Sequence, residues 1–330
     1  MAHELDFTNG NAAIAITYDG ETPWHGYGNR VNKDADLDQW RIAAGLNWEV
    51  DERPVYFSRL EEGKRTPSKI DNRKALIRTD TQDCLSVVGA GYNVVQPKEV
   101  LEFYRELIAD NGFVMDTAGA LKGGNRVWAL ASIGESTRIM GQDKIDGYVL
   151  LATSYDGSMA TTCKFVSTRV VCNNTLEWAS KEKGMEAKAS HSSVFNPEAL
   201  KGKLGLTKES WLKYEEQVNK LAHTSVDLET ALAFFTTLLG PDSVKMNIES
   251  GKMEYSNTFK KLYSAYETSP GSDMRSAKHT AWGLVNAVTF YQDHCARGNS
   301  QGSRLDSTWF GAGAARKQKA WEQALELVAA

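Results

Sequence analysis

No apolar run in these 330 residues approaches the roughly 20 that a membrane-spanning helix requires. The opening stretch, MAHELDFTNG, has neither the basic nor the apolar region of a secretory signal, so none is expected. Cysteine is scarce: Cys84, Cys163, Cys172 and Cys295 lie far apart and form no CxxC pair. That argues against a zinc site and against a disulfide-stapled secreted scaffold, and it fits reduced thiols in a cytoplasmic protein. An excess of positive charge is also missing. Lys and Arg number 38 against 42 Asp and Glu, for a net charge of −4 and a pI near 5.9. A dedicated duplex-DNA binder is usually basic, because phosphate neutralisation dominates its affinity. A nucleic-acid role here must gather cations locally or across the subunits of an oligomer.

Catalytic signatures are absent as well. There is no GxSxG elbow, HExxH helix, GxxxxGK[ST] loop or Cys–His nucleophile pattern. Gly119, Gly123 and Gly124 fall at a hairpin tip, not between a strand and a helix. His279 and His294 are fifteen residues apart on one expected helix, and His223 has no second ligand at i+4. No metal, cofactor or catalytic residue is implied, and the chain reads as a non-enzyme.

What is present is an α+β pattern. Residues 1–50 read as an arm and capping element. The arm holds a strand at Ala12–Thr17, the fixed loop Gly20–Gly28 with Trp24, His25 and Tyr27, and a helix over Asp36–Ala44. The aromatics of the loop need cover, which makes Trp24, His25 and Tyr27 candidate subunit contacts. Residues 51–190 read as the core domain: strands at 54–58, 84–88, 92–96, 113–117 and 126–133, with one helix opened by Pro97 and running to Asp110. Residues 191–330 read as a helical module, with apolar residues at 3.6-residue spacing in several segments. The polar run Lys181–Ser193 reads as the linker between them.

The stretch Asp146–Glu177 is central. Tyr148–Ala152 and Met159–Val166 are strand-like, and Tyr155-Asp-Gly-Ser158 between them carries turn chemistry. Beyond Thr168, Val170, Val171, Asn174, Thr175 and Trp178 fall at helical spacing, so a helix is expected, with Asn173 and Asn174 at its start. Phosphate-contacting candidates gather nearby: Lys164, Arg169, Asn173 and Asn174, with Lys122 and Arg126 at the neighbouring hairpin tip. The most basic window is Lys64–Arg78, six cations against one carboxylate, from which Arg73, Lys74 and Arg78 join the set. It reads either as a solvated loop and a guarded strand edge or as a phosphate-contacting rim. Tyr155, Phe165 and Trp128 could stack on unpaired bases, which favours single-stranded over duplex nucleic acid.

Five segments carry a resemblance: Thr22-Pro-Trp-His-Gly-Tyr-Gly28, Gly91-Tyr-Asn-Val-Val-Gln-Pro97, Thr153-Ser-Tyr-Asp-Gly-Ser158, Arg169-Val-Val-Cys-Asn-Asn-Thr175 and Trp309-Phe-Gly-Ala-Gly-Ala-Ala315. In that order they resemble the phage/plasmid-like protein family of unknown function, the domain of unknown function 932, found on prophages, plasmids and viruses of bacteria. The resemblance implies a mobile-element protein of the bacterial cytoplasm. A fainter resemblance, in strand and helix order, is to phage single-strand annealing proteins of the Red-beta and Erf type. It implies a twisted antiparallel sheet backed by helices and an oligomer acting on single-stranded DNA in recombination. The alternative from another class is a protein-interaction factor, such as an inhibitor of host defence.

Overall fold

The computed structural model describes residues 7–8, 11–12, 14–16, 28–32, 35–169, 174–177, 186–203, 208–247, 252–296 and 301–329. Four short strands open the chain: β1 (Phe7–Thr8), β2 (Asn11–Ala12), β3 (Ile14–Ile16) and β4 (Asn29–Arg30). Helix α1 (Leu37–Ala43) starts at Asp36, whose carboxylate accepts from the Gln39 N–H while the Gln39 side chain accepts from the Asp36 N–H. Strands β5 (Val50–Glu61), β6 (Lys64–Arg78) and β7 (Cys84–Gly89) follow.

Pro97 sits at the start of α2 (Pro97–Glu102), as its missing N–H favours. The single helix expected from Pro97 to Asp110 is two. After Phe103-Tyr104 the chain resumes as α3 (Arg105–Asn111), which ends at Gly112 with φ 68°. Tyr104 at the break is fully buried, its hydroxyl 2.7 and 3.0 Å from the carbonyls of Ala129 and Val149. Long strands β8 (Val114–Leu121), β9 (Arg126–Ile139), β10 (Asp143–Ser154) and β11 (Thr161–Arg169) come next, then short β12 (Asn174–Glu177) and β13 (Glu186–Ala189). The remainder is mostly helical: α4 (Pro197–Lys203), α5 (Lys208–His223), α6 (Leu228–Leu239), the hairpin β14 (Val244–Met246) and β15 (Met253–Tyr255), α7 (Asn257–Thr268), α8 (Ala281–Phe290), a π turn at Tyr291–Cys295, α9 (Gln301–Phe310) and α10 (Ala312–Ala329). This is an α+β fold with a helical C-terminal region.

Two readings of the central stretch are corrected. Where a helix is expected beyond Thr168, β11 runs on to Arg169 and β12 returns antiparallel, with Arg169 opposite Asn174 and Val166 opposite Glu177; Val170, Val171 and Trp178 lie outside the described residues. Thr168 and Thr175 face each other across it, so the β-branched residues follow their strand preference. The linker expected at Lys181–Ser193 contains β13, which pairs with the first half of β11. The sheet itself is mixed, not purely antiparallel. Its order is β12-β11-β10-β9-β8-β3-β4, with β13 also on β11 and β3 parallel to β4. Among the described residues, no helix is long and apolar enough to cross a membrane.

The chain forms two compact units, Met1–Gly134 with Val149–Lys164 and Lys183–Leu206, and Glu135–Tyr148 with Phe165–Glu182 and Thr207–Ala330. The first has a core of Trp40, Trp48, Phe103, Tyr104, Trp128 and Tyr155, all nearly inaccessible. In the second, Tyr214 stacks on Trp321 at 5.7 Å, Trp282 meets Trp321 edge-on, and Phe235 contacts Phe259 and Tyr266. Beneath these rings Asp143 is fully buried, accepting from Ser276 Oγ at 2.7 Å and Trp282 Nε1 at 3.1 Å. A buried carboxylate needs such donors.

Candidate functional site

The basic window Lys64–Arg78 is a single 15-residue strand, not a loop and a strand edge. It pairs with the 12-residue β5 from Val50 opposite Arg78 to Glu61 opposite Lys64, except at Pro54/Val55, where the register jumps from Lys74 to Ile70 and Asp71, Asn72 and Arg73 have no partner on β5. β7 covers β6 only from Arg73 to Ile77. The outer part, residues 55–70, is therefore a two-stranded ribbon, about 20–25 Å long at the usual rise per residue.

The base of the ribbon is firmly tied. The Gln96 side chain accepts from the Val50 N–H at 2.8 Å and donates to the Val50 carbonyl at 3.0 Å. Thr79 Oγ accepts from the Glu49 N–H. Arg78 lies over the Trp48 ring at 4.5 Å and grips Asp80 with two hydrogen bonds of 2.8 and 3.0 Å. Gly124, at φ 94°, leaves the room this needs: a Cβ there would stand 3.1 Å from Arg78 Nη1 and 3.2 Å from Trp48.

The outer ribbon shows both faces to solvent. Tyr56 stands opposite Lys69 and Leu60 opposite Arg65 on one face; on the other, Phe57 faces Ser68 and Arg59 faces Thr66. Tyr56, Phe57 and Leu60 are 56, 48 and 70% exposed. Arg59 pairs with Glu61, Lys69 with Asp71 and Lys74 with Glu52, but Lys64, Arg65 and Arg73 are exposed and have no carboxylate within ion-pair distance among the described residues. A two-stranded ribbon is marginal in water by itself, and this one shows exposed aromatics beside cations.

The other sequence candidates are placed differently. Arg78, Arg126 and Lys164 are interior, at 5, 5 and 8% exposure. Arg126 Nη2 donates to Ser158 Oγ at 2.9 Å, and burial pulls its pKa below the ordinary value against the opposing charge of Asp156. Lys122 is half-buried at the β8–β9 turn with φ 57°. Arg169 and Asn174 are opposed in a hairpin, not gathered at a helix start, and Asn173 lies outside the described residues, as do Trp24, His25 and Tyr27. The aromatics expected to stack on bases are core: Tyr155 and Trp128 are fully buried and Phe165 nearly so. The exposed aromatics that sequence reasoning passed over are Tyr56 and Phe57. Their signal was in the sequence, two rings beside the most basic window.

The turn at 153–158 is structural. Asp156 Oδ1 accepts from the Ser158 N–H at 2.9 Å. Ser154 Oγ is engaged with the main chain of Met159, and the Tyr92 hydroxyl donates to the Ser154 carbonyl at 2.6 Å, with burial pushing the Tyr92 pKa up to about 12. His191 stacks on Tyr92 at 4.3 Å, and its two ring nitrogens face the carbonyls of Asn93 and Met159. No nucleophile–base pair results. Among the described residues, no group of three His, Cys, Asp or Glu side chains could hold a metal.

A family model, domain of unknown function DUF932, matches residues 84–325, most of the chain. The chain belongs to the DUF932 family. No curated protein and no solved structure matches it. The DUF932 segment begins at β7, so the β5–β6 ribbon precedes it, while the tyrosine–histidine stack and the helical region as far as residue 325 in α10 fall inside it.

Thiol chemistry gives a direct check on this DUF932 structure. Cys163 is fully buried, and desolvation raises its pKa, so it stays a protonated, inert thiol. Cys84 and Cys295 are exposed. Brief iodoacetamide labelling of native protein, read by peptide mass mapping, should modify Cys84 and Cys295 and spare Cys163 until denaturant is added. Native labelling of Cys163 would contradict the packing of β11.

Proposed function

We propose that this DUF932 protein is a non-catalytic single-stranded-DNA-binding protein and that the β5–β6 ribbon is its strand-contacting arm. One observation carries the reading: an exposed ribbon on which Tyr56, Phe57 and Leu60 alternate with Lys64, Arg65, Lys69 and Arg73. Bases of any sequence stack on exposed rings, and cations track the backbone phosphates. The absence of net positive charge then suits a protein that acts as an oligomer, each subunit adding one arm to a shared groove. The resemblance of its signature segments supports a place on a phage or plasmid, in recombination or annealing, within the bacterial cytoplasm. The free thiols of Cys84, Cys163 and Cys295 fit that compartment.

The test is anisotropy of a fluorescent oligonucleotide across a salt series. Wild-type protein should bind at low ionic strength. The triple variant Lys64→Gln, Arg65→Gln, Arg73→Gln should bind more weakly, with the slope of log K against log salt reduced by about 2, as three lost single-strand phosphate contacts imply. Tyr56→Ala should weaken binding by about 1–3 kcal/mol. No salt-dependent binding by wild type sinks the proposal.

The exposure of Leu60 favours a second reading, in which the same arm docks on a protein, for instance as an inhibitor of host defence. Pulldown from host lysate separates the two. Stoichiometric capture of one host protein, lost on Leu60→Ser and without nucleic acid, favours the second.

A further inference from the structure

The second compact unit holds a basic cleft that the ribbon does not involve. It has a volume of about 630 Å³, and His223, Asp227, Arg275, Lys278, His279 and Thr280 line it. His223 ends α5, Asp227 precedes α6, and the other four lead into α8. A short antiparallel bridge brings these separate stretches together. Ser225 opposes Thr280, the Val226 N–H donates to the His279 carbonyl at 2.9 Å, and the Ala281 N–H donates to the Thr224 carbonyl at 3.0 Å.

Cations outnumber carboxylates on the lining, Arg275 and Lys278 against Asp227. Arg275 and Lys278 are exposed, and neither has a carboxylate within ion-pair distance among the described residues. The single acid on the lining, Asp227, is committed: its Oδ1 accepts from the Thr230 N–H at 2.8 Å as the cap of α6. That bond and its hydroxyl partner hold the carboxyl below its usual range, so it stays ionised and engaged with its own helix. The bridge also sets the starts of α6 and α8 beside the cleft, and both macrodipoles add positive potential there. Caps use part of these helix starts, Thr230 N–H by Asp227 and Gly283 N–H by Thr280 Oγ, so side chains would do the recognising. His223 Nδ1 is turned to the Asn219 carbonyl at 2.8 Å, which leaves Nε2 for a ligand. His279 is held at φ 54°, a left-handed conformation that few non-glycine residues adopt, with its ring edge-on to Tyr266.

We infer that this cleft is a phosphate-binding site. Arg275 offers the planar fork that matches two phosphate oxygens, Lys278 a mobile point charge, and His223 Nε2 an acceptor for the hydrogen of a singly protonated phosphate. The ligand is a phosphate monoester or a phosphodiester of a nucleic-acid chain: Arg275 and Lys278 recognise the anionic oxygens that both carry, and the His223 contact is open to the monoester alone. The cleft lies within the segment matched by the DUF932 family and is independent of the ribbon.

The experiment is titration calorimetry on the full-length protein with four probes: inorganic phosphate, adenosine 5′-monophosphate, adenosine and a short single-stranded oligonucleotide. Arg275→Gln with Lys278→Gln removes both cations from exposed positions, and Lys64→Gln, Arg65→Gln, Arg73→Gln serves as the ribbon control. Phosphate and the monophosphate should bind and adenosine should not. For phosphate and the monophosphate, the Arg275/Lys278 variant should lose at least tenfold in affinity and the ribbon variant should bind as wild type does; the ribbon variant bears only on the oligonucleotide. If the oligonucleotide alone binds with that same dependence on Arg275 and Lys278, the source of the phosphate is a polynucleotide. If no phosphate-bearing probe binds in a way that these two residues alter, the site does not exist, whatever the ribbon does.

Discussion

Replacing Lys317 by methionine should cost the protein about 3–5 kcal/mol, the range for removing one partner of a buried ion pair. Lys317 Nζ stands 3.0 Å from Asp293 Oδ1, and the two side chains are 0 and 8% exposed. Methionine fills nearly the same volume but leaves the Asp293 carboxylate in the interior without its cation. The loss should appear as a lower urea midpoint with an unchanged slope. Two comparisons separate this from simple repacking. Lys317→Met combined with Asp293→Leu should recover much of the loss, since a packed apolar pair can equal a buried ionic one. Lys220→Met, which breaks the exposed pair with Glu216 on α5, should leave the midpoint where it was. A Lys317→Met protein as stable as wild type would mean that the pair is not buried.

Gly283→Ala should be at least as damaging. An added Cβ would lie 1.9 Å from the Ala277 carbonyl oxygen, 3.0 Å from its carbon and 3.1 Å from Tyr266 Cε2. The first contact is with backbone, so no rotamer change relieves it. Either α8 or the turn before it must move, and α8 carries nine buried residues and the Trp282 contact to Trp321. Overpacking of this kind costs about 1–3 kcal/mol or more, and a backbone clash this close belongs at or above the top of that range. The expected result is loss of the folded fraction on expression or a large fall in melting temperature. Gly91→Ala and Gly202→Ala are the controls, because nothing lies within 4 Å of a Cβ at either position. In α4, Gly202→Ala should stabilise, by up to about 1 kcal/mol. An innocuous Gly283→Ala would overturn the packing of α7 and α8.

Local rules made much of this fold legible. Asp36 as a cap, Pro97 as a helix start and Gly112 as a stop all act within a few residues of themselves, and all three are seen. The outer ribbon was harder to read, because strand patterning shows in sequence only when one face is buried and the other wet. With Tyr56 and Phe57 adjacent and both exposed, no alternation marks the strand. The stretch after Thr168 misled for a related reason: Val170, Asn174 and Trp178 fit a helical spacing by chance over too few residues to exclude a hairpin. The basic cleft was invisible for a different reason. His223 ends α5 and His279 lies in the turn before α8, and the bridge between Ser225 and Thr280 that unites them leaves no trace in composition or period. Lys317 and Asp293 are 24 residues apart, and their pairing is a purely tertiary fact.

The Tyr92–His191 stack has a consequence for synthesis on the ribosome. The Asn93 N–H and side-chain amide both reach the His191 carbonyl, at 2.6 and 3.1 Å, across 98 residues of chain. The Gly91–Pro97 segment, which ties down the base of the ribbon through Gln96, thus acquires its latch only after that much more polypeptide has emerged. At the usual 5–20 residues per second the wait is about 5–20 s. A nascent chain stalled before His191 would present the arm with its Gln96 ties to Val50 but without the His191 contacts to Asn93.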